Sequence, residues 1–289
     1  MRGLRTTTVT FVAGALLGGA ATAFAQRAAA PAESPKASAP IDVTGYWVAV
    51  VSEDWRHRMM TPRKGDFESL PLNAEGRRAA NAWSLDADNA AGEQCKAFGV
   101  GSIMRQPGRL HITWADDNTL KIETDAGTQT RLLHFGPAGA GASEAPSWQG
   151  YSAAMWRRPA RPGSDPSAGD LRVLTNRLRA GYLRKNGVPY SDAATMEEYF
   201  DTFREPNGDV WLVIDTIIND PKYLTQPYLN SVAFKKLPDA DKEGITEKKA
   251  LALMLAQPSM IKRPVLDLGG KLFVGFKPEL YEKAFSARS

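Results

Sequence analysis

Arg-Leu-His-Ile-Thr-Trp-Ala-Asp-Asp-Asn-Thr-Leu-Lys-Ile-Glu-Thr, residues 109–124, reads as two strands joined by a turn. Leu110, Ile112 and Trp114 fall on one face, and His111 and Thr113 on the other. Asp116, Asp117 and Asn118 are turn residues, after which 119–124 alternates again. A period of two matches the pleat of a strand with one buried face, so this stretch predicts an antiparallel hairpin.

The same pattern extends in both directions. Residues 45–51 form a β-branched and aromatic run. Ala126-Gly127 makes the next turn and 128–135 the next strand. A Gly/Ala/Pro loop covers 136–146, and a second loop covers 159–169. Strand patterns recur at 148–156, 171–178, 195–203 and 210–218, with Asn207-Gly208 as a strong turn signal between the last two. One helix is predicted at 73–82, capped by Asn73, with Gly76 as a mild weakness. At least seven strands with little helix predict a mainly β fold, an antiparallel barrel or sandwich; a lipocalin-like closed barrel is the first choice.

The period changes near the C-terminus. Thr246 can cap a helix over 246–256, with Leu251, Met254 and Leu255 on one side and Pro258 ending it. Strands at 265–268 and 272–276 flank Gly269-Gly270, and Pro278 opens a helix carrying Leu280, Tyr281 and Phe285. The order helix, strand, strand, helix describes a small α/β fragment.

The chain of 289 residues carries a formal charge of +4 with Lys and Arg scattered, which does not favour a nucleic-acid partner. Arg2 and Arg5 precede an apolar, small-residue run from Val9 to Ala23, and Ala23-Phe24-Ala25 gives a cleavage pattern. Residues 1–25 therefore read as a signal peptide, and the Ala/Pro/Ser-rich 26–40 as a disordered leader. A periplasmic or secreted protein with no membrane span after cleavage follows. The one cysteine, Cys95, is a free thiol, an intermolecular disulfide partner, or half of a lost pair.

The site candidates are modest. Cys95 is a weak nucleophile candidate, with Lys96 the one neighbour able to lower its pKa. His57, His111 and His134 lack metal-ligand spacing, so no metal is predicted, and no cofactor is implied. Ser191 lacks a nucleophile-elbow setting. Basic and aromatic residues cluster at 55–64, around Pro107-Gly108 between Arg105 and Arg109, and at 182–190. Arginine forks suit carboxylates, so these clusters predict a small anionic or aromatic ligand at a barrel mouth. The ligand-binding candidates are Trp55, Arg58, Arg109, His111, Arg131, Tyr182, Arg184 and Tyr190.

Two resemblances divide the chain. GYWVAVVSEDWRHRMMTPRKGDF (45–67), QCKAFGVGSIMRQPGRLHITW (94–114), LKIETDAGTQTRLLHF (120–135), YLRKNGVPYSDAATMEEYF (182–200) and INDPKYLTQPY (218–228) make residues 42–236 resemble a family of uncharacterised exported bacterial proteins. That likeness implies a lipocalin-like barrel domain at 41–236 and names no reaction; the expected role as a binding or accessory module rests on the signal segment, the hairpin meander and the aromatic-basic clusters. Chains of that family end soon after an FKKLPDA-like stretch with a terminal cysteine. This implies a disulfide partner for Cys95 that the present chain replaces.

QPSMIKRPVLD (257–267) and VGFKPELY (274–281) make the remainder look like the C-terminal half of the arsenate-reductase/Spx-like, thioredoxin-fold family. This resemblance implies an anion-contacting role for Arg263 and a cis peptide before Pro264. It also implies a thiol-dependent reductase activity with glutathione or another thiol as co-reactant. The half bearing that family's catalytic cysteine does not precede residue 237, so 237–289 reads as a partial domain joined near 237, inactive as a reductase. About fifty residues make a marginal domain, and 237–244 is the expected protease-sensitive linker.

Overall fold

The computed structural model describes residues 33–136, 141, 143–159, 165, 168–238, 246–256, 265–267, 272–274 and 285. The expected signal segment, the Gly269-Gly270 turn, Arg263 and Pro264 lie outside the described residues, as does the closing helix apart from Phe285.

Nine strands close into a barrel. They are β1 (Gly45–Val50), β2 (Arg109–Asp116), β3 (Thr119–Thr124), β4 (Gln129–Phe135), β5 (Tyr151–Arg157) and β6 (Asp170–Asn176). After the hairpin of β7 (Gly181–Arg184) and β8 (Val188–Tyr190) come β9 (Thr195–Arg204), β10 (Val210–Asn219) and β11 (Tyr228–Lys236). The barrel order is β1-β11-β10-β9-β6-β5-β4-β3-β2. Every pair is antiparallel except β4 with β5, where Leu133 lies opposite Ser152 in a parallel ladder. The opening hairpin holds its predicted register, with Ile112 opposite Ile122 and the Asn118 amide bonded to Asp116 Oδ1 at 2.7 Å.

The strand pattern misses two features. β7 and β8 are too short to show a period. β11 closes the barrel, pairing Trp47 with Lys236 and Val50 with Ala233 on β1. Its inward residues Tyr228, Asn230, Val232 and Phe234 do alternate, but the stretch borders the tail and reads acceptably with either segment.

The inward faces step through three zones. On β9 they are Met196, Glu198 and Phe200; on β10, Ile218, Thr216 and Ile214; on β11, Tyr228, Asn230 and Val232. The first of each triplet belongs to one apolar cluster, with Leu70, Leu72, Val100, Leu183 and Tyr190. The last belongs to the barrel core, filled by Trp47, Ile122, Leu133, Leu212, Phe234 and their neighbours. The middle positions are polar, and Thr216 stands opposite both Glu198 and Asn230. Burial of both apolar sets drives the fold at roughly 25 cal/mol per Å² of apolar surface.

The cluster with Met196, Ile218 and Tyr228 is a cap on one end of the barrel, to which α2 (Ala74–Ala82), α4 (Val100–Ile103) and the β7–β8 hairpin supply residues; α1 (Trp55–Met59) and α3 (Leu85–Ala90) lie in the same connection between β1 and β2. Only α2 is long enough to be read from sequence. Asn73 caps it, its Oδ1 accepting from the Gly76 amide at 2.9 Å. Gly76 is more than a mild weakness. A Cβ there would lie 2.7 Å from the Tyr223 carbonyl oxygen, so the close approach of helix and chain requires glycine.

Residues at both boundaries of the barrel domain are packed against it. Residues 33–40, expected to be disordered, form a turn held on the barrel: Trp156 Nε1 donates to the Pro35 carbonyl at 2.7 Å, and the Lys36 amide to that of Asp117 at 3.2 Å. A part-buried indole N–H needs an acceptor, and the Pro35 carbonyl supplies it. Leu237, expected to open a sensitive linker, is buried, and its amide donates to the Tyr46 carbonyl at 2.8 Å; 239–244 lie outside the described residues.

In the tail, α5 (Glu247–Ala256) follows Thr246, whose Oγ1 accepts from the Lys249 amide at 3.2 Å. β12 (Val265–Asp267) and β13 (Leu272–Val274) pair antiparallel, Val265 opposite Val274. Among the described residues no helix is long and apolar enough to cross a membrane.

Candidate functional site

Three arginines are buried together beneath the cap. Arg58 and Arg184 are each 3% exposed and Arg105 5%. A buried guanidinium is costly unless its N–H groups are paired, so the local structure that places these three is informative.

Asp54, in the left-handed region at φ 48°, turns the chain into α1, and its carbonyl accepts from the His57 and Arg58 amides at 2.8 and 3.0 Å. Arg58 then points inward. Its Nε donates to the Arg105 carbonyl at 2.9 Å, and its Nη1 pairs with Glu53. Arg105, just beyond α4, reaches back from Nη2 to Asp54 Oδ2 at 2.7 Å. Arg184 ends β7 and donates from Nη2 to Ser69 Oγ at 2.9 Å. The hairpin turn is fastened to the 63–69 loop by Asn186, whose Nδ2 donates to the Arg63 and Asp66 carbonyls at 3.0 Å each. Tyr228, the first residue of β11, is 4% exposed, and its ring centre lies 6.0 Å from Arg105 Cζ.

These bonds leave much unpartnered. Arg58 Nη2, Arg105 Nη1, Arg184 Nε and Nη1, the Tyr228 hydroxyl and Asn186 Oδ1 are buried without a hydrogen bond. Arg184 lies close to the Tyr228 hydroxyl. Buried polar groups are nearly always paired, and each exception costs about 1–3 kcal/mol. Three guanidiniums face two carboxylates, Glu53 and Asp54, so the group keeps one positive charge in excess. Burial pushes Arg58 and Arg184 down from the ordinary arginine value. Glu53, then Asp54 and Tyr228, oppose this at Arg58; at Arg184 the opposing groups are Tyr228, then Asp54, then Asp66 at the rim. Burial also pushes the Tyr228 phenol up, against the pull of Arg105 and Arg184.

Above this group is an open cleft of about 820 Å³, whose wall includes Phe67, Ser69, Leu70, Pro227, Tyr228 and Leu229. Ser69 and Tyr228 thus separate cleft from arginines. At the rim, one ligand atom each of His57, Asp66 and Glu68 lies within 4.8 Å of the others, a spacing that suits a cation. The protein supplies that cation: Arg56 Nη2 lies 3.1 Å from His57 Nε2, 3.0 Å from Asp66 Oδ2 and 2.9 Å from Glu68 Oε2.

Of the residues singled out from sequence, Arg58 and Arg184 meet here. Trp55 sits nearby on α1, 61% exposed. The others lie elsewhere. Arg109 and His111 are on the outer barrel face, Arg109 bonded to Asp125 at 2.7 Å and His111 stacked on Tyr46 at 3.9 Å. Arg131 is inside the barrel, paired with Glu198. Tyr182 donates to Asp88 at 2.8 Å, its phenol pushed up by burial and by that bond. Tyr190 is core, packed on Gly99 and Gly181. Cys95 lies half-buried in a 3-10 turn, Gln94–Phe98, and neighbouring Lys96 is turned to Glu93 and Asp88. Tyr228 and Ser69 escaped the sequence reading, and Arg105 was noted without being chosen. Alternation along β11 carried the signal for Tyr228.

Residues 229–284 match the model of the ArsC family. No curated protein and no solved structure matches the chain. The match opens inside β11, so residues 229–236 serve as the strand that closes the barrel. The tail is thus ArsC-like, and the site described above lies outside the match except at its border with Tyr228.

Proposed function

We propose that this chain is an exported β-barrel protein acting as a small-ligand binding or accessory module, and that its ligand is anionic. The observation that carries this reading is the set of buried, unpartnered N–H groups on Arg58, Arg105 and Arg184 beside an open cleft. Arginines held without full partners suit a carboxylate or phosphate oxygen, whose charge-assisted bonds are about twice as strong as neutral ones. The positive n-region and the Ala23-Phe24-Ala25 pattern support export, and a mature N-terminus at Gln26, read by mass spectrometry, tests it. Binding is tested by the thermal shift of the mature protein against small carboxylates, phosphates, sulfates and neutral analogues. A rise in Tm confined to anions is expected. A flat response across the panel rejects the reading.

The ArsC match supports a second reading, a thiol-dependent oxidoreductase of that type. Against it stands a single cysteine, Cys95, half-buried in a 3-10 turn whose neighbouring Lys96 is turned to Glu93. Arsenate reduction with glutathione as reductant is expected to be absent. Activity that vanishes in Cys95→Ser would reverse the order of the two readings.

A further inference from the structure

The anion can be specified further, and this step rests on the binding reading above. We infer that the ligand is a small organic monocarboxylate, its head on Arg184 behind Ser69 and its apolar body along Phe67, Pro227 and Leu229.

Charge comes first. The three guanidiniums exceed Glu53 and Asp54 by one, so a single negative charge balances the group. The rim leaves that excess unchanged, because Asp66 and Glu68 are matched by Arg56, on which both lean, and by Arg77 in the cleft wall. A dianion passing these carboxylates would meet repulsion that a monoanion meets at half strength. Shape comes second. Arg184 offers an unpartnered Nε, and displacement of the Ser69 hydroxyl from Nη2 would complete the Nε–Nη2 edge, a planar fork matched to the carboxylate. The Tyr228 hydroxyl, also unpartnered and facing Arg184, can donate to a second carboxylate oxygen.

Ser69 is the third observation. Its hydroxyl accepts from Arg184 at 2.9 Å and donates to the Glu68 carbonyl at 2.7 Å. It holds this position with a backbone φ of 63°, in the left-handed region that a serine rarely adopts. The hydroxyl lies between cleft and guanidinium, where an incoming carboxylate oxygen would bind. A carboxylate that displaces it gains a charge-assisted bond and frees Ser69 to relax. The fourth observation is the cleft wall. Leu229 is 66% exposed at its edge, and Phe67 packs from the cleft onto the cap core. An apolar ligand body covers this surface, where a bare inorganic ion would leave it open.

The experiment is calorimetric titration of the mature full-length chain at neutral pH with octanoate, octyl phosphate, octanol and acetate. Octanoate is expected to bind at least tenfold more tightly than octyl phosphate, with octanol and acetate silent. Arg184→Met is expected to weaken octanoate at least tenfold without lowering the Tm of the ligand-free protein, since the lost guanidinium is largely unpartnered. A purely structural arginine would lower it. Should Arg184→Met fail to fold, the inference is overturned on that count. Tyr228→Phe then tests the seat separately, with several-fold weaker octanoate binding and an unchanged fold expected. Octyl phosphate equal to or tighter than octanoate overturns the carboxylate assignment and leaves the anion-binding reading standing. Silence of all four probes overturns both. Octanoate binding unaffected by either substitution overturns the placement.

Discussion

Arg131 and Glu198 face each other inside the barrel, 2% and 0% exposed, joined through both guanidinium Nη atoms. Ser152 and Thr175 complete the arrangement, Thr175 Oγ1 accepting from Arg131 Nη2 at 3.0 Å. Every nitrogen of this guanidinium is bonded, in contrast to Arg58, Arg105 and Arg184. One chain therefore contains two kinds of buried arginine. The fully bonded one belongs to the polar layer between barrel core and cap core, and the partly bonded ones lie beneath the cleft.

A satisfied buried pair is costly to break from one side. Arg131→Met strands the Glu198 carboxylate and is expected to destabilise the fold by about 3–5 kcal/mol. Arg131→Met with Glu198→Leu removes both charges and is expected to cost clearly less. Urea midpoints of the two variants decide this. Equal losses would mean that the layer matters for packing and not for charge.

Gly76→Ala separates propensity from packing. In an exposed helix the change would stabilise by about 0.5–1 kcal/mol. Here the new methyl meets the Tyr223 carbonyl oxygen at 2.7 Å and the Leu72 side chain at 3.1 Å. Destabilisation of about 1–3 kcal/mol is expected, seen as a lower thermal midpoint. A higher midpoint would show that the 219–227 segment yields to the helix.

The barrel was legible from sequence where one strand turned directly into the next, as at 109–124, because a period of two needs only local information. β7 and β8 offer too few residues for any period. β11 was hidden by its position beside the ArsC-like tail. The arginine site was half legible. Arg58 and Arg184 stood out by residue type, but Arg58 meets Arg105 across 47 positions and Arg184 meets Ser69 across 115. Nothing local distinguishes Arg109, which lies outside on the barrel, from Arg105, which lies within.

The seam where β11 closes on β1 is sensitive to acid. Asp42 accepts from the Thr44 hydroxyl and amide and from Lys236 Nζ at 3.0 Å. Burial works to raise its pKa, but the Thr44 bonds and Lys236 outweigh it and hold the carboxyl below the ordinary aspartate value. The unfolded chain binds this proton more tightly than the folded one. The contribution is therefore complete above the unfolded aspartate value of about 4 and is lost as pH falls through the folded one. Asp42→Asn is expected to flatten the acid limb of Tm against pH below about pH 4. An unaltered acid limb would place the sensitivity elsewhere.

Truncation tests how the ArsC-like stretch is divided. β11 bridges β1 and β10, pairing Val50 with Ala233 on one side and Ile214 with Val232 on the other. A chain ended at Pro227 leaves both neighbours with open edges and exposes the core around Phe234, a state in which strands aggregate. A chain ended at Pro238 keeps β11, the Leu237 amide bond to Tyr46 and the Lys236–Asp42 pair. The shorter chain is expected to be insoluble or molten. The longer is expected to unfold cooperatively within a few degrees of the full protein, followed by near-ultraviolet circular dichroism on heating. The two outcomes together would assign residues 229–236 to the barrel by stability as well as by topology. Loss of folding in the Pro238 chain would show instead that the ArsC-like tail is required for the barrel to stand.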